Sequence, residues 1–287
     1  MSAQAPVAAP LYRRRWIPSF GLRGSAVAAA IVIAVLVLIA IFAPLIAPHD
    51  PNAIDLSNAY ASPSGAHPLG TDGSGRDILS RLFYGGRTGL LGPLFVVIIS
   101  TAIGVPLGLL GGFRGGIVDG VLGRTWDVLF AFPALLLAIV IVAAFGAGFW
   151  TVTIAIGIVY VPLLARVVRG LVLVEREKAY VDALRVQGFS GRRIAVGHVL
   201  PNVTPPIVAQ TTLNFGYALL DLAALAFLGL GVQPPTADWG QMLSTGREGL
   251  TLHHYSEVVS AAVVIAAAVV SFNILGDALS DRAGRSR

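Results

Sequence analysis

Long uncharged apolar runs alternate with polar stretches along the chain. A helix that crosses a bilayer needs about 20 apolar residues, and six runs approach or exceed that length. The six predicted spans are residues 25–47, 89–112, 128–145, 150–168, 205–230 and 258–276. The runs are continuous, whereas the strands of a membrane barrel alternate apolar and polar positions. The pattern therefore predicts an all-α polytopic membrane protein whose six-helix domain occupies residues 25–276.

Basic residues lie mainly on one side of these predicted spans. With the N-terminus inside, 16 of the 20 Lys and Arg residues fall in or beside the two tails and the loops after the second and fourth spans. Cytoplasmic segments are enriched in Lys and Arg, so the tails 1–24 and 277–287 and the loop 169–202 are predicted to be cytoplasmic. The loops 48–88 and 231–257 are predicted to be external, and their Pro, Gly and Asp content predicts irregular structure.

Composition excludes several classes of function. The chain is 55% hydrophobic, and it has no cysteine for a disulfide or a thiolate nucleophile. The net charge of +5 is explained by the cytoplasmic segments, so no nucleic-acid partner is expected. The sequence lacks a phosphate-binding loop of the form G-x-x-x-x-G-K-[ST], and the adjacent His253 and His254 do not match a zinc-binding helix motif. We therefore expect no enzyme activity, no metal and no cofactor in this chain.

Two features inside the predicted spans admit alternative interpretations. Asp221 lies near the middle of the fifth span, where an acid is costly. It is either a pathway or gating residue, or a structural acid that is protonated or paired with an arginine. Gly104, Gly108, Gly112 and Gly116 recur every four residues and form one smooth stripe on a helix. Such a stripe packs closely against another helix, either of this chain or of another subunit.

The loop between the fourth and fifth spans is crowded with charge and broken by glycines. Residues 175–186 suit a helix that has its apolar residues on one side. Gly188 is predicted to end this helix in a left-handed conformation. Ser190 is predicted to cap a second short helix that ends at Leu200-Pro201. A solvated linker is the alternative, but two short helices with an apolar side favour docking onto a protein partner.

The same loop resembles the cytoplasmic E-A-A-x3-G-x9-I-x-L-P motif in the permease subunits of ABC importers. The motif positions are occupied by Asp182, Ala183, Leu184, Gly188, His198, Leu200 and Pro201. Of these, Asp182, Leu184 and His198 differ from the motif, and the other four match it. The resemblance implies that these residues form a coupling helix seated in a groove of an ATPase subunit. It also implies the type I ABC importer permease fold, with six transmembrane helices and a coupling-helix loop.

Three further stretches resemble the C-type permease subunits of dipeptide and oligopeptide importers. They are HPLGTDGSGRDILSRLFYGGRTGL, AFLGLGVQPPTADWGQML and FNILGDALSDR. The motif residues in the two external loops are His67, Gly70, Asp72, Gly75, Arg76, Asp77, Gln233, Pro234 and Trp239. The glycines of the first stretch permit tight turns. The glycine pair of the second stretch, Gly229 and Gly231, is predicted to end the fifth helix. These residues either shape the loops and dock a binding protein, or they contact peptide directly.

The resemblance implies the membrane-spanning permease subunit of an ATP-driven dipeptide or oligopeptide importer in a bacterial inner membrane. The implied partners are a second permease subunit, two subunits or domains that bind ATP and Mg²⁺, and an extracytoplasmic substrate-binding protein. One alternative is ABC import of another cargo, such as a nickel complex, glutathione or heme. Another is a stand-alone secondary transporter, which usually has internal repeats and more intramembrane charge than this chain shows.

Overall fold

The chain folds into helices joined by irregular loops. A computed structural model describes the backbone of residues 20–285 and the side chains of residues 24–284, so the predicted tail 1–24 lies almost wholly outside the described residues. The α-helices in this part of the chain are α1 Phe20–Ile46, α2 Ile78–Arg114, α3 Gly116–Phe130, α4 Ala134–Phe145, α5 Phe149–Glu175, α6 Ala179–Val186, α7 Gly191–Ile194, α8 Leu200–Phe227, α9 Trp239–Thr251 and α10 Ser256–Arg285. Shorter pieces are a 3₁₀ turn, Leu56–Asn58, and a π turn, Ala195–Val199.

Four of the described helices are long and apolar enough to cross a membrane. They are Gly24–Ile46, Ile78–Arg114, Phe149–Glu175 and Ser256–Gly284. The pair α3 and α4 makes a fifth candidate if the two helices form one broken span. Helix α8 has 28 residues, but polar side chains such as Thr204, Gln210 and Asn214 dilute its apolar character. The all-helical membrane fold is therefore confirmed, while the count of six spans stays a prediction.

The third predicted span, 128–145, is wrong as a single helix. Helices α3 and α4 meet there at an angle of 83°. Pro133 stands immediately before α4. Proline has no amide hydrogen to donate, and it drives the preceding residue, here Phe132, out of the helical region. The chain therefore breaks at residues 131–133 and restarts in a new direction.

Several helix ends also differ from the predicted bounds. Helix α2 begins at Ile78, well before the predicted position 89, because Asp77 caps it by accepting a hydrogen bond from the Ser80 amide at 2.8 Å. Helix α10 continues to Arg285, past the predicted end at 276. Apolarity locates the part of a helix inside lipid, and helices can extend beyond it at either end.

The glycine stripe packs inside the chain, against α5. A Cβ atom added at Gly108 would lie 2.5 Å from the Ala165 carbonyl oxygen, and one added at Gly112 would lie 2.9 Å from the Arg169 carbonyl oxygen. Gly104 faces the same helix. The within-chain interpretation of the stripe is therefore confirmed for these three glycines. Gly116 does not belong to the stripe, because it begins α3.

Candidate functional site

The Gly188 segment, residues 175–202, turns sharply at the glycine for which it is named. Gly188 has φ +83°, in the left-handed region that favours glycine. Its amide donates to the Arg185 carbonyl at 3.0 Å, and the Phe189 amide donates to the Leu184 carbonyl at 3.1 Å. This pair of bonds is the Schellman arrangement that satisfies the last carbonyls of a helix. The predicted left-handed cap of α6 is confirmed.

The apolar side of the Gly188 segment is turned toward the chain itself. Val181 of α6 and Ile194 of α7 are fully buried. They belong to one apolar cluster with Leu109 of α2 and with Val168 and Val172 of α5. The apolar side predicted to dock a partner therefore seats the segment on α2 and α5. A partner would meet the opposite, exposed side.

A polar cluster fixes the base of the segment. Glu175, at the end of α5, is buried. Its carboxylate accepts hydrogen bonds from the Tyr180 hydroxyl at 3.0 Å and from the side-chain amide of Asn202 at 3.1 Å. It also forms an ion pair with Lys178 at 2.8 Å. Because the Glu175 charge is buried, losing its partners costs more than losing a surface ion pair. The cluster therefore holds the start and the end of the segment together.

The second helix of the segment begins as predicted but does not end at Leu200-Pro201. Helix α7 begins at Gly191, although Ser190 makes no side-chain capping bond. A π turn follows α7, and the Leu200 amide donates to the Ala195 carbonyl, five residues back. Pro201 then lies in the first turn of α8. The segment therefore runs directly into the long helix α8.

The structure divides the residues of the predicted coupling motif between two environments. Asp182, Ala183, Gly188 and Pro201 are exposed, and Leu184, His198 and Leu200 are half-buried. The His198 ring stands edge-on to the Phe189 ring, with 5.8 Å between the centroids. Val186, which the motif does not include, is 89% exposed and is the most prominent apolar side chain of α6. The outward face of α6 therefore presents Asp182, Ala183 and Val186.

Asp221 pairs with a tyrosine of a neighbouring helix. The Tyr160 hydroxyl of α5 donates a hydrogen bond of 2.8 Å to Asp221 Oδ2 of α8. Both groups lie in the region where α4, α5 and α8 meet. The partner of Asp221 is therefore a hydroxyl group and not the arginine that one alternative expected. The pair therefore forms a polar link between α5 and α8 inside an otherwise apolar cluster.

A second group of predicted residues lies at the other end of α2, a helix of 37 residues that is about 55 Å long at 1.5 Å per residue. Asp72 is buried and accepts from the Arg76 side chain at 2.7 Å and from the Arg76 amide at 2.9 Å. Arg81 is also buried and lies 3.7 Å from the same carboxylate. Gly70 and Gly75 both have positive φ, so they form the turns around Asp72.

Asp77 has two roles in the same loop. Its Oδ2 accepts from the Ser80 amide at 2.8 Å and from the Ser80 hydroxyl at 2.7 Å, which caps α2. Its Oδ1 lies 2.9 Å from Nδ1 of His67. The predicted residues His67 and Asp77 are thus in direct contact, and together they tie the middle of the loop to the start of α2.

Trp239 connects the two loops predicted to be external. Its ring lies against Gly85 and Gly89 of α2, where any side chain would collide with it. Its indole Nε1 donates to the Leu82 carbonyl at 2.8 Å. Asp238 is buried and caps α9. Burial raises the pKa of its carboxyl group, although the hydrogen bond that it accepts from the Gln241 backbone amide acts in the opposite direction. Helix α9 is therefore fixed on the start of α2.

The two remaining predicted residues, Gln233 and Pro234, follow the end of α8 and are exposed. The Gln233 side chain donates to the carbonyls of Gly229 and Gly231, both at 3.0 Å. Gly229 has φ +79°, which confirms the predicted glycine end of this helix. Gln233 thus stabilises the turn, while Pro234 lies on its outer surface.

Sequence reasoning missed several residues that build these sites. Glu175 and Tyr160 have partners 27 and 61 positions away along the chain, and no local pattern indicates such pairs. Asp238 had a recognisable signal, because an aspartate directly before a helix is a common cap. Val186 could have been found by placing α6 on a helical wheel, where it lies away from Val181 and Leu184.

Comparison with known proteins places this architecture in a family. The family described as binding-protein-dependent transport system inner membrane component matches residues 104–286. The N-terminal transmembrane domain of oligopeptide transport permease C matches residues 23–63. The chain therefore belongs to the family of binding-protein-dependent transport system inner membrane components. It is a multi-pass permease subunit of an ABC importer, and it functions in a complex with other subunits of that system.

Individual relatives share about two residues in five over most of their length. The chain is 41% identical to the dipeptide transport system permease protein DppC of Alkalihalophilus pseudofirmus, over 89% of this chain and 84% of the relative. It is 40% identical to the probable D,D-dipeptide transport system permease protein DdpC of Escherichia coli K12, over 91% and 88%. It is 40% identical to the glutathione transport system permease protein GsiD of Pectobacterium atrosepticum, over 89% and 85%.

Proposed function

We propose that this permease subunit moves short peptides across the membrane. The observation that carries the proposal is the similarity to relatives named for dipeptide, D,D-dipeptide and glutathione transport, over about nine tenths of the chain. All three named cargoes are short peptides or peptide analogues with free carboxylates and an amino group. Dipeptides and oligopeptides are the first cargo class to test, because two of these relatives are named for dipeptide and D,D-dipeptide transport. Glutathione is the second.

Energy enters through the Gly188 segment in this proposal. Partner subunits bind ATP and Mg²⁺, and the exposed side of α6 around Val186 contacts one of them. Two features suit the segment to this role: two backbone hydrogen bonds close the Gly188 turn, and the inner side of the segment is packed on α2 and α5. A displacement of α6 would therefore move these long helices with it. Alternating access results if ATP and cargo favour different arrangements of the helices.

The proposed complex also contains a second permease subunit and an extracytoplasmic substrate-binding protein. The chain lies in a bacterial inner membrane with both termini and the Gly188 segment in the cytoplasm. The distribution of Lys and Arg supports this orientation. The loops that contain Asp72 and Trp239 then face outward, where a binding protein delivers cargo.

The absence of cysteine gives a direct test of orientation. Gly65 and Gly191 are both exposed and lie in the two loops predicted to be on opposite sides. A membrane-impermeant maleimide added to intact spheroplasts should label Gly65→Cys and spare Gly191→Cys until the cells are lysed. Labelling of Gly191→Cys in intact spheroplasts would overturn the orientation.

The transport activity is tested with the whole complex in proteoliposomes. Labelled dipeptide, tripeptide or glutathione is supplied with the binding protein, and ATP is enclosed with the ATPase subunits. Uptake of a peptide that requires ATP and stops when the ATPase is inactivated supports the proposal. Uptake of none of these peptides, with ATP-dependent uptake of a non-peptide cargo, would overturn the cargo assignment. Uptake driven by an ion gradient without ATP would overturn the ABC mechanism.

A further inference from the structure

The loop between α1 and α2 brings together three side chains that can bind a metal ion. They are His49, just after the end of α1, His67 in the middle of the loop, and Asp77 at the cap of α2. Each offers one ligand atom, and these atoms all lie within 4.8 Å of one another. No metal site is expected from the sequence, where these three residues are scattered along the loop. Folding alone makes them neighbours.

The distances between the donor atoms suit a shared ion. His67 Nδ1 lies 2.9 Å from Asp77 Oδ1, and His49 Nδ1 lies 3.8 Å from the same oxygen. Two ligands that each lie 2.0–2.1 Å from a metal, at angles between octahedral and tetrahedral, are roughly 2.8–3.5 Å apart. The first distance falls in that range, and the second exceeds it by a few tenths of an ångström. The nitrogens of His49 and His67 lie within 4.8 Å of each other, so binding requires the exposed His49 ring to move toward both other ligands.

Supporting hydrogen bonds already orient the ligands. Ser80 donates to Asp77 Oδ2 from its amide and its hydroxyl, which leaves Oδ1 facing the two imidazoles. The Ser80 hydroxyl also accepts a hydrogen bond of 3.1 Å from the His49 amide. Such outer contacts fix the ligands of metal sites and tune their affinity. One residue, Ser80, thus positions both the carboxylate and the backbone of His49.

Burial and charge also favour a cation at this place. The side chain of Asp77 is 1% exposed, whereas those of His49 and His67 are 40% and 21% exposed. Among the described residues, the ion pairs of Asp77 are with these two histidines, and the neighbouring Arg76 and Arg81 pair with Asp72. The hydrogen bonds from Ser80 to Oδ2 and the contact of His67 with Oδ1 already give both carboxylate oxygens of Asp77 a partner without His49. The second imidazole, stacked on the first with 4.6 Å between centroids, is explained by a shared ligand.

We propose that His49, His67 and Asp77 bind one divalent transition-metal ion, with Zn²⁺ as the ion to test. Two imidazole nitrogens and one carboxylate oxygen are a donor set that suits Zn²⁺ and its neighbours in the first transition row. Water fills the remaining coordination positions on the exposed side. The ion joins the end of α1 to the start of α2 and so stiffens the loop. This proposal is independent of the cargo and of the coupling role of the Gly188 segment.

The test uses the full-length chain in detergent, purified through a tag that contains no histidine. Zn²⁺ is titrated by calorimetry, and Co²⁺ is titrated with visible absorption as the readout of nitrogen and oxygen coordination. One ion should bind per chain, and His49→Ala should weaken binding at least tenfold. His253→Ala is the matched control, since this exposed histidine lies outside the cluster, and it should bind like the unmodified chain.

Thermal unfolding with and without Zn²⁺ separates binding from a folding defect. Saturating Zn²⁺ should raise the Tm of the unmodified chain and of His253→Ala, because a ligand that binds only the folded state stabilises it. It should leave the Tm of His49→Ala unchanged. Failure to bind one ion per chain, or equal binding by His49→Ala and the unmodified chain, would overturn the proposal.

Discussion

Arg176 donates a hydrogen bond of 2.7 Å from its guanidinium Nη1 to the carbonyl oxygen of Gly112. Arg176 follows the last residue of α5, and Gly112 is the last member of the glycine stripe on α2. The bond therefore joins the base of the Gly188 segment to the glycine stripe through which α2 packs on α5. If the segment moves during transport, as proposed above, this bond would pass the displacement to both helices.

Gly188→Val should uncouple transport from ATP hydrolysis. A Cβ atom at this position would have nothing within 4 Å, so space is available and the cost comes from the left-handed backbone. A residue with a side chain loses about 1–2 kcal/mol in that conformation, and a β-branched residue loses more. We expect the complex to assemble, with peptide uptake in proteoliposomes reduced several-fold.

Gly170→Val provides the control for that experiment. Gly170 is exposed on α5, has an ordinary helical backbone, and would also place its Cβ in open space. Its variant should transport like the unmodified chain. Unimpaired uptake by Gly188→Val would remove the argument that the left-handed turn is needed.

Glu175→Ala should loosen the Gly188 segment. The change removes the acceptor that Tyr180 and Asn202 share and the partner of Lys178. The segment contains exposed arginines, Arg185 and Arg192, where trypsin cleaves. We expect faster tryptic cleavage within residues 175–202, measured on the complex in detergent. Glu177→Ala, at a neighbouring exposed position, should be cleaved at the original rate; equal rates for both variants would refute the role of the cluster.

Gly108→Val should destabilise the packing of α2 on α5. The new Cβ would lie 2.5 Å from the Ala165 carbonyl oxygen and 2.7 Å from Val168 Cβ, so the helices must separate. Overpacking of this kind costs about 1–3 kcal/mol. We expect a lower Tm in detergent. Gly123→Ala, with nothing within 4 Å of its added Cβ, should unfold at the original temperature or above it.

Tyr160→Phe and Asp221→Asn test whether Asp221 is structural. Each change weakens the same hydrogen bond between α5 and α8, so each should lower stability by about 1 kcal/mol. The double variant should lose much less than twice that amount, because the two changes share one interaction. Transport per folded complex should persist in all three variants. Loss of transport with unchanged stability in Asp221→Asn would instead assign Asp221 to the pathway.

The parts of the fold that sequence predicts are those governed by local patterns. Apolar runs located the main helices, and Gly188 and Gly229 marked helix ends because a left-handed cap requires a residue without Cβ. The break at Pro133 was missed, although proline is a local signal, because apolarity continues across it. The early start of α2 was missed because its first turns lie outside the apolar run.

The contacts within the sites depended on tertiary packing and could not be predicted. The pairing of Tyr160 with Asp221 joins two different long helices, and the cluster of His49, His67 and Asp77 requires the folded loop. The inward orientation of Val181 was also hidden, because an apolar face can bind a partner or the chain itself. Periodicity shows that such a face exists but does not show what covers it.

The central claim, that the outward side of α6 contacts an ATP-binding subunit, is tested most directly by site-specific crosslinking. The chain has no cysteine, so Val186→Cys introduces a single thiol at the 89% exposed position, and Arg247→Cys introduces one on α9, in the loop after α8. Both are labelled with a photoactivatable maleimide before the ATP-binding subunits are added, and the complex is then assembled and irradiated. We predict that Val186→Cys forms an adduct with the ATP-binding subunit and that Arg247→Cys does not. An adduct from Arg247→Cys, or none from Val186→Cys, would contradict the account.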